Sequence, residues 1–505
     1  MKRLEINMSL AALLDDVSVP SVAVSGLTED SRSVAEGDAF IAVQGQSSDG
    51  HDFAHVAEKQ GAACVLAEHP VSGLTIPVVL VADLRSRRGA LAARFYAHPS
   101  SNLTCVGVTG TNGKTSIAYH VADIASKMGV PSGVLGTIGW GRPPDLEPSH
   151  LTTADAITTQ RRLACLRHDG CQTVALEASS HALAQGRVDD VQFTVGVFSN
   201  LTRDHLDYHD DTRAYGAAKQ RLFEFDSIKR CILNVDDAFG RHLFEVLAKD
   251  DGKEVVTYGA SGDVGWQNVA FHDHGLSAEL VTPWGDHAVT LPVFGEFSLS
   301  NVAAAVAVLC GAGLPFAGVV EAAAELTPVP GRMEFFRQPG KPTVVVDYAH
   351  TPDALSKVLA ALRTHCRGRL VCLVGCGGDR DPGKRPMMAR AAARGADVVC
   401  LTSDNPRSED PEAIIDQMRA GLESAAEGFE VVDRHQAIRR VLAEAGSDDV
   451  VLVAGKGHED YQEVRGERHP FSDRKIVRDL LAASSQGPRR ATGPRDVRGT
   501  LGGAH

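Results

Sequence analysis

The chain has 505 residues, of which 43% are hydrophobic and 23% are charged. That length exceeds one compact core, so two to four domains are expected. Asp and Glu outnumber Lys and Arg by 64 to 51, and the net charge of −13 argues against a nucleic-acid-binding or anionic-membrane surface. The ten cysteines form no C-x-x-C pair, no apolar run approaches membrane-spanning length, and the first fifteen residues lack a secretory pattern. The sequence predicts a cytoplasmic protein that neither binds nucleic acid nor inserts into a membrane.

The first 98 residues predict a small α/β domain. Strand-like runs lie at 39–43 and 63–66, and helix-like segments lie at 52–60 and 86–96. Two polar segments, 29–32 and 43–50, read by themselves as ordinary turns. The segment His98-Pro99-Ser100-Ser101 predicts the linker into the next domain.

Residues 103–120 predict a strand, a glycine-containing loop and a helix. Gly110 and Gly113 allow the backbone to turn its N–H groups toward an anion, and the start of the helix adds positive charge. Lys114 could reach terminal phosphates, and the Thr115 hydroxyl could join a Mg²⁺ shell. Position 108 is Val where the general phosphate-loop pattern has Gly, so the match is to a shorter form, Thr-Gly-Thr-Asn-Gly-Lys-Thr. We predict that the phosphates of a nucleotide contact Gly110, Thr111, Asn112, Gly113, Lys114, Thr115 and Ser116, and the resemblance given below implies that this nucleotide is ATP.

The region 99–330 predicts a central, doubly wound domain with a mostly parallel sheet. Further strands are expected at 173–177, 194–199 and 231–235, and ligands bind at the carboxyl ends of such strands. Glu177 ends one strand and is the acid we expect to bind Mg²⁺, because Mg²⁺ prefers oxygen ligands. His205 lies in a loop and Lys219 in a helix, where each would ordinarily be a solvated side chain.

The region 331–484 predicts a third, Rossmann-like α/β domain, entered through the Pro330-Gly331 pair. Strands are expected at 343–346, 370–374, 397–401 and 450–453. The Gly375–Asp381 segment lacks the G-x-G-x-x-G spacing, so no dinucleotide site is predicted there. The tail 485–505 has few large apolar residues and is expected to be disordered.

The segment Thr-Gly-Thr-Asn-Gly-Lys-Thr-Ser resembles the ATP loop of the Mur ligases and of their relative folylpolyglutamate synthetase. Other motifs occur in the same order along the chain as in the Mur ligases. They are Asp-Ser-Arg at 30–32, Asn-Leu-Thr-x-Asp-His-Leu-Asp-x-His at 200–209, and Gly-Arg-Met-Glu at 331–334. The resemblance covers about residues 25–480. It implies three domains, for UDP-sugar (1–98), ATP (99–330) and amino acid (331–484), in an ATP-dependent, ADP-forming carbon–nitrogen ligase.

The resemblance also implies roles for individual residues. The catalytic group would be Lys114, Glu177, His205 and Lys219, with His205 helping to hold a second metal and Lys219 carbamylated by CO₂ so that it bridges toward Mg²⁺. ATP would also contact Asn301, Arg332, Asp347 and His350, with Arg332 reaching it across a domain interface. The UDP-sugar-peptide would contact Asp30, Ser31, Gln46, Ser47, Ser48, Thr152, Thr153, Ser179, Gln185 and Arg187. The family often has Asn where this chain has Leu151.

The turn Ser403-Asp404-Asn405-Pro406-Arg407 resembles the amino-acid pocket of those Mur ligases that add meso-diaminopimelate. Diaminopimelate carries one more carboxylate than lysine, and the Arg407 guanidinium could bind it through two hydrogen bonds. The contacts implied by the resemblance are Arg380, Asp404, Asn405, Pro406, Arg407, Gly455 and Glu459, with Glu459 accepting from an ammonium.

The resemblance therefore implies a monomeric enzyme that adds meso-diaminopimelate to UDP-N-acetylmuramoyl-L-alanyl-D-glutamate through an acyl phosphate. Three alternatives stay open. The same ligase could use L-lysine, which Arg407 argues against. Folylpolyglutamate synthetase shares the ATP loop but would not need a uridine-type first domain. A non-catalytic, nucleotide-binding relative should have lost Lys114, Glu177, His205 or Lys219, and all four are present.

Overall fold

The structure, a computed structural model, describes residues 3–15, 18–45, 48–202, 204, 208–422 and 427–483. Among the predicted site residues, Gln46, Ser47 and His205 lie outside the described residues, as does the tail 485–505. The chain forms two compact units, Met1–Val329 and a second that begins at Pro330. Within the described residues, no helix is both long enough and apolar enough to cross a bilayer.

The first unit holds seventeen described strands and ten α-helices. The strands are β1 (Met8–Ser9), β2 (Ala23–Val24), β3 (Gly26–Thr28), β4 (Asp38–Ala42), β5 (Cys64–Ala67), β6 (Val78–Leu80), β7 (Thr104–Thr109), β8 (Ser132–Gly136), β9 (Gly139–Arg142), β10 (Asp145–Glu147), β11 (Thr173–Glu177), β12 (Val195–Phe198), β13 (Arg230–Asn234), β14 (Glu254–Tyr258), β15 (Gly265–His272), β16 (Gly275–Thr282) and β17 (Gly285–Leu291). The helices are α1 (Leu10–Leu13), α2 (Ala54–Lys59), α3 (Leu84–Phe95), α4 (Lys114–Lys127), α5 (Ala156–His168), α6 (Ser180–Ala184), α7 (Thr212–Gln220), α8 (Ala238–Leu247), α9 (Glu296–Gly311) and α10 (Phe316–Ala324). Short 3-10 turns lie at Ser31–Ser33, Gly50–Phe53, Pro99–Asn102 and Arg221–Glu224.

The second unit holds the remaining described elements. Its strands are β18 (Glu334–Phe336), β19 (Thr343–Asp347), β20 (Leu370–Val374), β21 (Val398–Leu401), β22 (Glu427–Glu430), β23 (Val450–Ala454), β24 (Tyr461–Val464) and β25 (Glu467–Pro470). Its helices are α11 (Pro352–Arg363), α12 (Lys384–Gly395), α13 (Pro411–Arg419), α14 (Arg434–Glu444) and α15 (Asp473–Ala483).

The sheet orders explain where functional residues gather. In the first unit a parallel sheet in the order β3-β4-β5-β6 precedes an eight-stranded sheet in the order β10-β9-β8-β11-β7-β12-β13-β14. The six strands from β8 to β14 in that order are parallel, so their carboxyl ends meet at one edge. The second unit has the order β18-β19-β23-β20-β21-β22, parallel except for β18. The predicted parallel α/β sheets are therefore present.

Apolar runs account for these elements. Cys105 and Val106 of β7 point to opposite faces of the sheet and are at most 1% exposed, as expected for a strand covered on both faces. Helix α9 is apolar on nearly every side and lies in the core with α4 and α10. An antiparallel sheet in the order β15-β16-β17 packs against that core, and the sequence did not predict it.

Gly331, in the Pro-Gly pair where the second unit begins, provides a test of backbone packing. Its φ is +66°, and a Cβ there would lie 2.0 Å from the His458 amide nitrogen. We expect Gly331→Ala to destabilise the second unit by roughly 3 kcal/mol or more, because backbone atoms must move. Gly340→Ala is the matched control, since Gly340 has φ +74° and no atom within 4 Å of the added Cβ. Calorimetry should show a clearly larger drop in melting temperature for Gly331→Ala, and equal drops would contradict the packing argument.

Candidate active site

The phosphate loop lies between β7 and α4, and the end of β12 fixes its shape. Gly110 and Gly113 have φ of +146° and +87°. A Cβ on Gly110 would lie 1.8 Å from the Ser199 hydroxyl oxygen. The Thr111 amide donates to the Asn200 carbonyl at 2.8 Å, and the Asn112 amide donates to the Asn200 side-chain oxygen at 2.9 Å. Asn200, which follows β12, thus holds the loop through its backbone and its side chain, and the amide hydrogens of Thr111 and Asn112 are used in these contacts.

Two lysine ammonium groups meet at one carbonyl of this loop. Lys114 Nζ and Lys219 Nζ each donate to the Gly110 carbonyl at 2.8 Å. Lys219 is buried, and its Nζ lies 4.2 Å from the centre of the Tyr215 ring. Burial, and then the charge of Lys114, lower the pKa of Lys219 well below its ordinary value. Its surroundings therefore favour the neutral form of the Lys219 amine.

Glu177 ends β11 as a carboxylate that is only 1% exposed. The Thr115 hydroxyl donates to Glu177 Oε2 at 2.9 Å, and the Thr137 amide donates to Glu177 Oε1 at 2.8 Å. The Thr137 hydroxyl also donates to Oε2, at 3.1 Å. These donors are neutral, and burying a carboxylate costs free energy that a cation would offset. The buried hydroxyl and carboxylate oxygens of Thr115 and Glu177 are the hard donors that Mg²⁺ takes, so they fit that ion.

The predicted substrate-binding residues are joined to Glu177 by hydrogen bonds. Thr137 Oγ1 and Thr152 Oγ1 lie 3.1 Å apart, within hydrogen-bond distance, and Thr153 Oγ1 donates to the Glu177 carbonyl at 2.6 Å. The Ser179 amide donates to Thr153 Oγ1 at 3.1 Å. The structure therefore brings these predicted residues to the same edge as the phosphate loop.

Arg187 lies on the same side and is held in place by its own neighbours. It donates to the Thr153 carbonyl at 2.9 Å and, through Nε and Nη2, to the Gln185 side-chain oxygen at 2.9 and 2.6 Å. Burial and the charge of Asp155 raise the pKa of Glu29 to about 7, against the opposing charges of Arg88 and Arg187. The segment that precedes Asp30 is thus electrostatically coupled to Arg187.

Three further predicted contacts of the first unit, Asp30, Ser48 and Asn301, have neighbours that the structure describes. Asp30 caps the 3-10 turn at Ser31–Ser33, and its hydrogen bonds with Arg32 lower its pKa. The Ser48 carbonyl accepts from the Gly45 amide at 2.9 Å. Asn301 Oδ1 would lie 2.6 Å from a Cβ on Gly113, so α9 faces the phosphate loop.

Asp49, His51 and His69 form a cluster whose ligand-type atoms lie within 4.8 Å of one another. His51 already uses both ring nitrogens. Its Nε2 accepts from the Glu68 amide at 3.1 Å, so Nδ1 carries the proton that is shared with Asp49 at 2.5 Å. This histidine anchors its loop and offers no lone pair to a metal.

In the second unit, the predicted ATP contacts Arg332, Asp347 and His350 lie close to one another. Asp347 is buried and accepts from the Met333 amide at 2.7 Å and the Ala349 amide at 2.8 Å. Burial raises its pKa, although the charge of Arg332 opposes this. The Arg332 guanidinium lies 4.5 Å from the centre of the Tyr348 ring, and His350 Nδ1 contacts the Tyr348 carbonyl at 2.9 Å. Asp347 thus supports the backbone on which Arg332 is presented.

The Asp404–Arg407 turn follows β21 and meets the Gly455–Glu459 loop that follows β23. Asn405 Nδ2 donates to Glu459 Oε2 at 2.9 Å. The fully buried Lys456 donates to Asn405 Oδ1 at 2.9 Å and to Glu459 Oε2 at 3.0 Å. A Cβ on Gly455 would lie 2.5 Å from Asp404 Oδ2, so the two loops touch. Glu459 accordingly has an ammonium partner within the chain itself.

Arg407 adopts a left-handed backbone conformation, with φ +50°. Its Nη1 donates to the Gly378 carbonyl at 2.7 Å, and its Nε lies 3.7 Å from Glu463 Oε2. Arg380 is exposed, and its Cγ lies near Gly377 on the same side as Arg407 Nη1. Pro406 is buried behind the turn. The predicted amino-acid contacts therefore gather at one end of this sheet, with two guanidinium groups on one side.

Sequence reasoning missed Thr137 and Lys456. Thr137 follows β8 at the same carboxyl edge as Glu177, and recognising that strand would have drawn attention to it. Lys456 lies between two glycines, where a lysine is ordinarily solvated.

Comparison with known proteins gives three successive matches along the chain. Family models described as "Mur ligase family, catalytic domain", "Mur ligase middle domain" and "Mur ligase, glutamate ligase domain" match residues 23–96, 108–309 and 331–457. The three-domain α/β fold of this family, with N-terminal, central and C-terminal domains, is therefore present.

Individual relatives cover nearly the whole chain. The UDP-N-acetylmuramoyl-L-alanyl-D-glutamate–2,6-diaminopimelate ligase of Pseudomonas aeruginosa is 46% identical over 90% of this chain and 95% of its own length. The ligase of the same name from Chromobacterium violaceum is 44% identical over 94% of this chain and 97% of its own length. A solved structure of a ligase of that name aligns with a TM-score of 0.69 at 36% identity, covering 95% of this chain and 100% of its own. With its three domains matched in order and such identity along its length, the chain belongs to the Mur ligase family.

Proposed function

We propose that the protein is an ATP-dependent ligase that joins meso-diaminopimelate to UDP-N-acetylmuramoyl-L-alanyl-D-glutamate in peptidoglycan precursor synthesis. The observation that carries this proposal is the hydrogen-bond chain through Glu177, which links Thr115 of the phosphate loop to Thr152 and Thr153 on the substrate side. Such a link suits a reaction in which a phosphoryl group passes from one ligand to the other. The similar proteins from P. aeruginosa and C. violaceum carry the name of this activity. The acidic chain would act in the cytoplasm as a monomer on small-molecule substrates.

In the first step, an oxygen of the D-glutamate γ-carboxylate attacks the γ-phosphorus of ATP. The bond from that phosphorus to the β-phosphate oxygen breaks, and ADP leaves. In the structure, the Lys114 ammonium donates to the Gly110 and Thr111 carbonyls at 2.8 and 2.9 Å. During the reaction it would donate to the ATP phosphates instead. Its charge and the loop N–H groups offset the negative charge that gathers during transfer.

Thr115 and Glu177 would hold Mg²⁺, together with His205. When bound, that ion supplies charge neutralisation and orientation of the phosphates. Thr137 orients the Glu177 carboxylate through two hydrogen bonds, so it acts through Glu177.

Lys219 is the proposed site of carbamylation by CO₂. Only a neutral amine reacts with CO₂, and the burial and the Lys114 charge that lower the pKa of Lys219 favour that form. Carbamylation places an anion next to Lys114, so the Lys114 ammonium gains an attractive partner. Together with Glu177 it would give the metal-binding edge a second carboxylate-like group.

In the second step, the amine of diaminopimelate attacks the acyl phosphate carbon. The tetrahedral intermediate loses phosphate, the nitrogen loses a proton, and an amide forms. Arg187 would hold a carboxylate of the nucleotide peptide, because its planar guanidinium suits oxyanions. Arg407 and Arg380 would bind the far carboxylate of diaminopimelate. Glu459 would accept a hydrogen bond from an ammonium of diaminopimelate, and Asn405 would also contact that substrate.

The proposed activity makes a direct prediction for substrate choice. With ATP, Mg²⁺ and UDP-N-acetylmuramoyl-L-alanyl-D-glutamate, we expect phosphate release with meso-diaminopimelate and at most about 10⁻⁴ of that rate with L-lysine, because lysine offers no carboxylate to Arg407. Mass spectrometry of the product identifies the amide formed. Comparable turnover with lysine would contradict the role of Arg407. Turnover with neither amino acid would favour folylpolyglutamate synthetase or a non-catalytic protein, and a folate substrate is the next trial.

Lys114→Ala tests the phosphate loop. We expect ligation to fall by about 10³-fold or more, because the cation that balances the transferring phosphoryl group is lost. The fold should persist, since the Lys114 side chain donates to the Gly110 and Thr111 carbonyls of its own loop. Lys249→Ala, at an exposed position of the same unit, is the control. Near-normal turnover of Lys114→Ala, with a melting temperature like that of the control, would refute the assigned role.

Carbamylation of Lys219 predicts dependence on CO₂. Enzyme freed of CO₂ and bicarbonate should lose most of its activity and regain it when bicarbonate is added. Lys219→Arg should be weakly active and insensitive to bicarbonate, because a guanidinium stays charged and does not form a carbamate. If the rate of the unaltered protein is the same with and without bicarbonate, Lys219 acts as a lysine and the carbamate is wrong.

A further inference from the structure

A fully buried ion pair lies behind the amino-acid pocket of the second unit. Arg434 begins α14, Asp473 begins α15, and both side chains are 0% exposed. Arg434 donates from Nε to Asp473 Oδ1 at 2.8 Å and from Nη2 to Asp473 Oδ2 at 2.7 Å. Burial alone would lower the pKa of Arg434, but the charge and hydrogen bonds of Asp473 outweigh burial and raise it. Arg434 therefore keeps its positive charge.

The other hydrogen bonds of Arg434 reach the two loops of the pocket. Nη2 donates to the Ala454 carbonyl at 2.8 Å, and Nη1 donates to the Ser403 carbonyl at 3.3 Å. Ser403 directly precedes the Asp404–Arg407 turn, and Ala454 directly precedes Gly455. One guanidinium thus joins the starting points of both substrate-binding segments.

Direct pairing between strands does not connect the Asp404–Arg407 turn to the Gly455–Glu459 loop. The Asp404 turn follows β21 and the Gly455 loop follows β23, and β20 lies between those strands. The loops therefore emerge from strands that share no backbone ladder. A rigid group that bonds both carbonyls fixes their separation where the sheet does not.

A stabilising role alone explains the pair less well. Buried ion pairs give little net stability, since desolvation offsets much of their attraction, and apolar replacements are often tolerated. The arrangement of four hydrogen bonds on one planar group does give geometric precision. Asp404, which is also buried, lies in the field of both Lys456 and Arg434.

We propose that Arg434 and Asp473 are positioning residues for the amino-acid substrate. They would hold the Ser403 and Ala454 carbonyls so that Asn405 and Arg407 on one loop, and Glu459 on the other, address the same diaminopimelate molecule. The inference rests on the proposed function for the identity of that ligand.

Asp473→Asn tests the inference with little change of shape. We expect the KM for diaminopimelate to rise about tenfold or more, while the KM values for ATP and for the UDP-sugar-peptide change less than about twofold. Arg434→Lys should behave in the same way, because an ammonium cannot reproduce the planar set of bonds. Arg440→Lys is the matched control, since Arg440 lies on the same helix in an exposed pair with Glu444. A lower kcat with an unchanged KM for diaminopimelate, or an equal rise in all three KM values, would overturn the positioning role.

Amide hydrogen exchange gives a readout that needs no turnover. In Asp473→Asn, amides of residues 403–407 and 455–459 should exchange about tenfold faster, while those of β20 keep their protection. Unchanged exchange in both loops would overturn the inference even if the enzyme used another amino acid. Failure of the unaltered protein to ligate diaminopimelate would instead overturn the proposed function. If Asp473→Asn does not fold, the apolar pair Arg434→Met with Asp473→Leu replaces it, and a normal KM for diaminopimelate there would also refute the role.

Discussion

The buried carboxylate of Glu177 is the constraint on which the active edge of the first unit depends. The Glu177 carboxylate is 1% exposed, so hydrogen bonds must replace the water it loses on burial. The donors of these hydrogen bonds come from different elements. Thr115 lies in the first turn of α4, and Thr137 follows β8. The main-chain carbonyl of Glu177 accepts from Thr153. Moving Thr115 or Thr137 would remove a donor from the buried carboxylate, and moving Thr153 would remove one from the Glu177 carbonyl. The phosphate loop and the residues predicted to contact substrate are therefore fixed relative to one another.

The Gly110 carbonyl is a second point where distant elements converge. Two ammonium groups at 2.8 Å from one oxygen repel each other, and the protein relieves this by favouring the neutral form of the more buried Lys219. A residue that reads as a solvated lysine on α7 thereby becomes a potential nucleophile. Its reactivity derives from tertiary packing against the loop and the Tyr215 ring, which local sequence does not contain.

The sequence predicts best what short-range chemistry determines. Apolar runs such as 173–177 and 370–374 match the strands residue for residue, and the glycine loop before α4 follows from its own spacing. The antiparallel strands β15–β17 were missed because only one face packs on the core, so their pattern is mixed with exposed polar residues. Lys456 was missed for a different reason. Its burial depends on Asn405, 51 residues away, and no local pattern records that pairing.

The ion pairs around the Asp404–Arg407 turn explain how pairing between distant residues could select one amino-acid substrate over another. Lys456 lies 3.0 Å from Glu459 and 3.9 Å from Asp404, so the acidic side chains of the pocket already have an internal cation. Arg407 has a weaker partner, Glu463 at 3.7 Å, and is the less neutralised group. A substrate carboxylate near Arg407 would complete its pairing, whereas an ammonium in the same place would meet a like charge. Discrimination between amino acids that differ by one carboxylate then depends on holding Arg407 and Glu459 at a fixed separation, which requires rigid loops more than additional contacts.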